Sequence, residues 1–366
     1  MLIRGDARLL PLLDGCVDCV VTSPPYFGLR DYGTARWEGG DAECEHNARS
    51  GDLRFTHPIS DKQRSNAGSA GSAGDVCVKC GAARRDSQIG LESTPDAYVQ
   101  SLVSVFAEVW RVLKDCGTVW LNIGDSYSGS GDLTRNDSIA AKGLCDLPRQ
   151  YRLSKCDLKP KNLIGIPWRV AFALQAAGWY LRSDIVWSKP NPMPENVTDR
   201  PTKAHEYVFL LAKRERYWYD VDAIREPHAD SSLARYEYGL HATPANALPD
   251  SSRARFQAGL GSAERMGDFM NDNGRNKRTV WTVPTQPYAG AHFATMPEAL
   301  VEPCILAGCP LGGLVLDPFV GSGTVVGVAE RLGRRGVGVD LTYQDLSKAR
   351  TAQRGIRFDA VTKETS

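Results

Sequence analysis

No run of apolar residues in this 366-residue chain approaches the length that a membrane-spanning helix needs, so no such helix is expected. An excess of charge is missing too. The 44 Lys and Arg nearly balance the 43 Asp and Glu, leaving a net charge of +1, so any surface for nucleic acid must come from local clustering. The first residues, Met1-Leu2-Ile3-Arg4-Gly5-Asp6, lack the basic segment and long apolar stretch of an export signal and run straight into a strand pattern. The cytoplasm is therefore the expected location. Ten cysteines are present, but they are dispersed through a long chain without such a signal, which favours reduced thiols or metal ligation over a disulfide framework. With 42% apolar and 24% charged residues, the chain can build one large or two medium cores.

Strand and helix patterns alternate as in a doubly wound, mostly parallel α/β sheet. Val17 to Val21 reads as a buried strand. A helix is expected from Pro95 to Leu113, capped by Thr94, with Pro95 at its first position and Leu102, Val105, Phe106, Val109, Val112 and Leu113 on one face. Thr118 to Ile123 is the next strand, Pro167 to Ala177 a helix stopped by Gly178, and Leu181 to Trp187 and Tyr207 to Leu211 are further strands. Near the end come strand Leu314 to Leu316, a glycine loop, helix Thr324 to Leu332 and strand Gly336 to Val339.

Two signatures carry chemistry. Thr22-Ser23-Pro24-Pro25-Tyr26 closes the first buried strand, and Asp317-Pro318-Phe319-Val320-Gly321-Ser322-Gly323 follows the strand at Leu314. An exocyclic amine on cytosine or adenine is a poor nucleophile because its lone pair is delocalised into the ring. The Ser23 hydroxyl and the Pro24 carbonyl can accept its two N–H hydrogens, favouring a pyramidal nitrogen with a usable lone pair. Pro25 stiffens the turn, and Tyr26 supplies a face for a base flipped out of the duplex. In the second loop Gly321 and Gly323 allow close backbone approach to a nucleoside cofactor, and Thr324 opens a helix whose first amides face that ligand. Asp340, ending the next strand, fits an acid that binds ribose hydroxyls. Asp6 either approaches the adenine of the cofactor or is a solvated strand-end acid.

The order of the signatures is informative. In most folds of this kind the glycine turn follows the first strand, whereas here it arrives after residue 316 and too little chain follows to complete its half of the sheet. Leu2 to Asp6 can supply the missing strand if the linear order has been circularly permuted.

On these residues the chain resembles the amino-group DNA methyltransferases that use S-adenosylmethionine, in the permuted (beta) arrangement where the catalytic motif precedes the cofactor motif. Three further stretches carry the likeness: Gly117 to Asp125, Asp184 to Pro192, and Phe293-Ala294-Thr295-Met296-Pro297 leading into an apolar helix. The resemblance implies a Rossmann-like methyltransferase fold that methylates by base flipping and direct in-line transfer. It also implies cofactor contacts from Asp317, Phe319, Ser322, Phe293 and Thr295, beside the glycines, Thr324, Asp340 and Asp6 already named. Double-stranded DNA is the implied partner, for a monomer or homodimer, and a cognate restriction nuclease fits the same class. Serine at position 23 leans toward cytosine N4, where Asp or Asn leans toward adenine N6.

The expected organisation is a catalytic sheet in parts 1–35 and 94–225, a Cys/His insertion at 36–93, a target-recognition region at 226–284, the cofactor-binding part at 285–350 and a tail at 351–366. The insertion carries Cys44, His46, Cys77 and Cys80 around a Gly/Ser/Ala-rich segment from Ser65 to Gly74, with His57 a substitute for His46. Four soft ligands suggest structural zinc, and the alternative is unpaired thiols in a loop. In the recognition region seven Lys or Arg meet seven Asp or Glu, so its position and not its charge suggests DNA contact. The segment Lys142 to Lys161 is more basic and suits a phosphate track or a solvated surface.

Three rival functions fit the residues less well. Methylation at cytosine C5 needs a Pro-Cys nucleophile and a Glu-Asn-Val partner, but Pro303-Cys304 falls in an apolar helical run and Glu195-Asn196-Val197 in a proline-rich loop. A protein glutamine methyltransferase would carry its cofactor loop first. A decayed DNA-binding module would not be expected to keep Ser23, Tyr26, Gly321, Gly323 and Asp340 together.

Overall fold

The computed structural model describes residues 1–28, 34–41, 43–46, 76–77, 79–128, 158–234, 273–286 and 296–341. Its main sheet has eight strands, β1 (Leu2–Arg4), β2 (Val17–Thr22), β5 (Leu113–Ile123), β6 (Tyr180–Ser188), β7 (His205–Ala212), β8 (Val280–Thr282), β9 (Leu314–Asp317) and β10 (Arg335–Asp340), in the order β1-β10-β9-β2-β5-β7-β6-β8. Every neighbouring pair is parallel except β5 with β7 and β6 with β7, so β7 alone runs against the rest. Two short strands of the insertion, β3 (Arg36–Glu38) and β4 (Ala83–Arg85), form a separate antiparallel pair.

Successive strand residues point to opposite faces, and both faces are covered. Val20, Val119, Leu121, Phe209, Leu211 and Leu316 pack under helices α1 (Pro95–Val112) and α2 (Ile166–Ala176). Cys19, Val21, Trp120, Val208, Leu210 and Val315 pack under α3 (Glu298–Gly308) and α4 (Thr324–Arg331). This is the doubly wound arrangement expected. On α1 the buried residues Tyr98, Leu102, Val105, Phe106, Val109 and Val112 recur at helical spacing, and the Thr94 hydroxyl accepts the Ala97 N–H at 3.1 Å. Such a cap contributes about 1 kcal/mol.

The start of the chain lies beside its last described strand: Leu2 pairs with Gly338, Ile3 with Val339 and Arg4 with Asp340. The first strand thus lies beside those flanking the glycine loop, as expected, but it stops at Arg4 and leaves Asp6, expected to end it, two residues beyond. Gly338 sits where a Cβ would lie 2.4 Å from Val320 in the glycine loop. Gly338→Ala is therefore expected to cost about 1–3 kcal/mol of stability by overpacking and to weaken cofactor binding, read by thermal melts with and without cofactor.

The structure extends several expectations. The strand expected from Thr118 begins at Leu113, directly after α1, and α2 begins at Ile166, where the Asp125 carboxylate accepts the Gly165 and Ile166 amides at 3.0 Å each. Val280 to Thr282, inside the stretch assigned to target recognition, is a strand of the main sheet. Among the described residues no helix is long and apolar enough to cross a membrane.

Candidate active site

The two signatures leave the carboxyl ends of adjacent parallel strands, β2 and β9, which pair at Cys19–Val315 and Val20–Leu316. Ligands bind at strand ends of this kind in open α/β sheets. The Thr22 hydroxyl donates to Asp317 Oδ1 at 2.7 Å, joining residues 295 positions apart, and the Phe319 amide donates to the same oxygen at 3.0 Å. Asp317 is buried, and burial pushes its carboxyl up to about 7 against the opposing effect of those two hydrogen bonds.

Gly321 and Gly323 adopt φ of +46° and +83°, values that favour glycine. The Gly321 amide donates to Asp340 Oδ2 at 3.0 Å, and the Val320 amide to the Val339 carbonyl at 3.0 Å, strapping the loop to β10. Among the described residues, a Cβ on Gly321 would meet the Phe319 carbonyl oxygen at 3.9 Å and nothing closer, so there the loop borders open space. Gly323 stands at the N-cap of α4, and the Ser322 and Thr324 hydroxyls lie 3.3 Å apart at its start. Asp6 flanks this corner, since the preceding residue, Gly5, donates from its amide to the Asp340 carbonyl at 3.0 Å. Burial would raise the Asp6 carboxyl, but hydrogen bonds and charge from Arg8 outweigh it and hold the group below its ordinary range. Asp6 is thus an acid ion-paired with Arg8, two residues past the end of β1. Phe293 and Thr295 lie outside the described residues.

In the first signature Pro24 is buried, and the Pro25 carbonyl accepts the hydroxyl of Tyr98 from α1 at 2.8 Å. Ser23 Oγ donates toward the Tyr26 hydroxyl at 3.5 Å, and that hydroxyl donates to Glu206 Oε2 at 2.5 Å and reaches Asn122 Oδ1 at 3.2 Å. Glu206 is held in turn by Lys189, whose ammonium lies 4.3 Å from the Trp187 ring centroid. Burial, then the negative charge of Glu206, raises the Tyr26 phenol well above its ordinary value, so it remains a donor. The ring rests on Gly124, where a Cβ would lie 2.5 Å from Tyr26 Cε2. Sequence reasoning missed Glu206 and the roles of Lys189, Asn122 and Gly124. The signal for Glu206 was a carboxylate beginning an otherwise apolar strand.

A family model described as DNA methylase matches residues 17–349, a span that holds both signatures. The chain belongs to this DNA methylase family. It is an amino-type DNA methyltransferase that uses S-adenosylmethionine. The type II methyltransferase M.SmaI of Serratia marcescens is 39% identical over 358 residues, covering 96% of this chain and 91% of that protein. M.Cfr9I of Citrobacter freundii is 40% identical over 354 residues, covering 94% and 85%. Among solved structures, the PvuII DNA methyltransferase (cytosine-N4-specific) matches with a TM-score of 0.52 at 17% identity over 95% of this chain and 85% of that one, a likeness of fold. The residues present suit the cofactor: a glycine loop bordering open space and a buried carboxylate that a cationic ligand would favour in its ionised form.

The remaining candidates of this methylase fall as follows. Cys44, His46, Cys77 and Cys80 come together in the insertion, with all their donor atoms within 4.8 Å of one another; His57 lies outside the described residues. In the recognition region residues 235–272 lie outside the described ones, and the ends are joined by reciprocal backbone hydrogen bonds between Glu226 and Arg275 of 2.9 and 2.8 Å. Arg275, Lys277 and Arg278 all converge on Glu226, so three of the seven basic residues there are paired internally. In the basic segment residues 142–157 lie outside the described ones, and Lys161 pairs with Asp199 at 2.7 Å. Cys304 is buried in α3, its thiol donating to the Leu300 carbonyl at 3.2 Å and held well above its ordinary pKa by burial, which removes it as a nucleophile. Glu195 sits in a loop and pairs with Arg200 at 2.6 Å.

Proposed function

We propose that this methylase is a site-specific modification enzyme acting on the N4 amine of cytosine in double-stranded DNA. The observation that carries it is the hydrogen bond from Thr22 to Asp317, which sets the Ser-Pro-Pro-Tyr turn against the cofactor loop. Serine at position 23 favours cytosine over adenine N6, which the same acceptors could also serve. The order of the motifs, together with a first strand lying beside the last, supports a circularly permuted fold. Type II relatives support a place beside a restriction nuclease.

In this account S-adenosylmethionine, when bound, supplies an activated methyl group. Asp317, Phe319, Gly321, Ser322, Gly323, Thr324 and Asp340 would hold it, the loop amides and glycines by close backbone approach. Ser23 directs its own proton toward Tyr26, which leaves oxygen lone pairs to accept one amine hydrogen while the Pro24 carbonyl accepts the other. The Tyr26 ring, seated on Gly124, stacks on the flipped base, and the extrusion costs a few kcal/mol. Glu206 and Lys189 are positioning residues that act through Tyr26. Residues between the paired ends at Glu226 and Arg275 are the proposed reader of the DNA sequence.

Glu206→Gln is expected to slow single-turnover methylation about tenfold while leaving cofactor affinity within about twofold, because a charge-assisted hydrogen bond to Tyr26 contributes roughly 1.5–3 kcal/mol. Equal loss of cofactor binding would contradict that role. Site specificity is tested by expressing the protein in a host free of DNA methylation and sequencing the modified bases. Modified cytosines confined to one short motif support the proposal, and scattered or adenine modification overturns it.

A further inference from the structure

We propose that Cys44, His46, Cys77 and Cys80 form a structural zinc site that staples the insertion and sets the segment returning beneath the Pro24-Pro25-Tyr26 turn. The four donor atoms lie within 4.8 Å of one another, with Cys44 Sγ to Cys77 Sγ at 4.0 Å and Cys80 Sγ to His46 Nδ1 at 3.3 Å. A tetrahedral zinc with ordinary Zn–S and Zn–N bonds places such pairs about 3.8 and 3.6 Å apart. A disulfide would need sulfurs only about 2.05 Å apart. Three thiolates and an imidazole are a closed, soft donor set that selects zinc over hard cations and leaves no position for a reacting ligand.

The backbone around the donors is built for such an ion. Cys77 and Cys80 flank a tight turn in which the Gly81 amide donates to the Cys77 carbonyl at 2.9 Å and the Cys77 amide to the Ala82 carbonyl at 2.7 Å, with Gly81 at φ +75°. Gly40 is the one residue that fits opposite, since a Cβ there would lie 2.7 Å from Cys80 Sγ. The Trp37 ring lies 5.1 Å from the His46 ring and shields that side. The paired strands β3 and β4 have only three residues each, too few to fold as an isolated hairpin without a staple.

The staple bears on the active site through the chain that follows β4. Asp86 accepts the Thr34 hydroxyl at 2.6 Å, Ser87 accepts Arg8 at 3.0 Å, and the Gly90 carbonyl accepts the Gly28 amide at 2.8 Å. Gly90 lies so close that a Cβ would be 3.0 Å from the Tyr26 carbonyl oxygen. The chain leaving the insertion therefore rejoins the core beside Gly28 and the Tyr26 backbone, and the metal fixes that return.

The full-length protein, purified without chelator and dialysed, is expected to hold about one zinc per chain by elemental mass spectrometry. Cys80→Ser should lose it, and Cys116→Ser, an exposed cysteine outside the cluster, should keep it. Cobalt exchanged into the parent should give the intense visible bands of a tetrahedral thiolate site. A dialysed parent with less than about a tenth of an equivalent of zinc, or a Cys80→Ser protein with undiminished zinc, would overturn the proposal. Metal content is read independently of methylation, so the outcome stands whichever base the enzyme modifies.

Discussion

Tyr26→Ala is expected to slow DNA methylation about a hundredfold while leaving cofactor affinity within about twofold. Stacking of a base on an aromatic ring is worth about 1–3 kcal/mol, and the hydroxyl network adds roughly 1 kcal/mol by orienting Ser23. Tyr26→Phe keeps the ring but removes its hydroxyl's bond to Glu206, which Lys189 and Asn122 still hold, so a loss of about tenfold is expected. Gly124→Ala should resemble the alanine variant, because its methyl would lie 2.5 Å from the Tyr26 ring and displace it. Single-turnover rates with titrated cofactor measure all three, and an undisturbed rate in Tyr26→Ala would remove the base platform from the account.

Asp317→Asn is expected to weaken S-adenosylmethionine binding about thirtyfold or more, since it removes a buried charge facing a cationic ligand. The sign of the pH dependence follows from the carboxyl's rise from 3.8 to about 7. A group raised on folding contributes stability that is full below its unfolded value and is lost as pH climbs through the folded one. The cofactor-free protein therefore loses stability between about pH 4 and 7, where the carboxyl ionises in the unfolded chain while burial keeps Asp317 protonated in the folded one. Cofactor binding needs the ionised form, so affinity should fall about tenfold from pH 8 to pH 6. Asp317→Asn should flatten that profile and raise the melting temperature of the cofactor-free protein at pH 8. Calorimetric titration and thermal melts across this range provide the check.

Much of this was legible because it is local or periodic. Strand β2 is one apolar run ending in a rigid turn, α1 shows its buried face and its N-cap, and the glycine loop declares its backbone by composition. The pairing of Leu2–Arg4 with β10 followed from counting strands at the other end of the chain. What stayed hidden depends on tertiary partners. The reversal of β7, the edge strand at Val280–Thr282 and the short pair β3–β4 have no distinctive local pattern. The carboxylate of Glu206 gains its meaning only where Tyr26, Asn122 and Lys189 converge from three other parts of the chain. The same holds for Arg275, Lys277 and Arg278, part of a charge-balanced stretch in sequence, which meet Glu226 in space.

The central claim is that Ser23 and Pro24 present a cytosine amine to the cofactor loop across the Thr22–Asp317 bond. Its most direct test is to incubate the purified protein with isotopically labelled S-adenosylmethionine and mixed-sequence duplex DNA, digest to nucleosides, and identify the labelled base by mass spectrometry. The account expects label in N4-methylcytosine, abolished by Tyr26→Ala. Label in N6-methyladenine or 5-methylcytosine, or in no nucleoside at all, would contradict it.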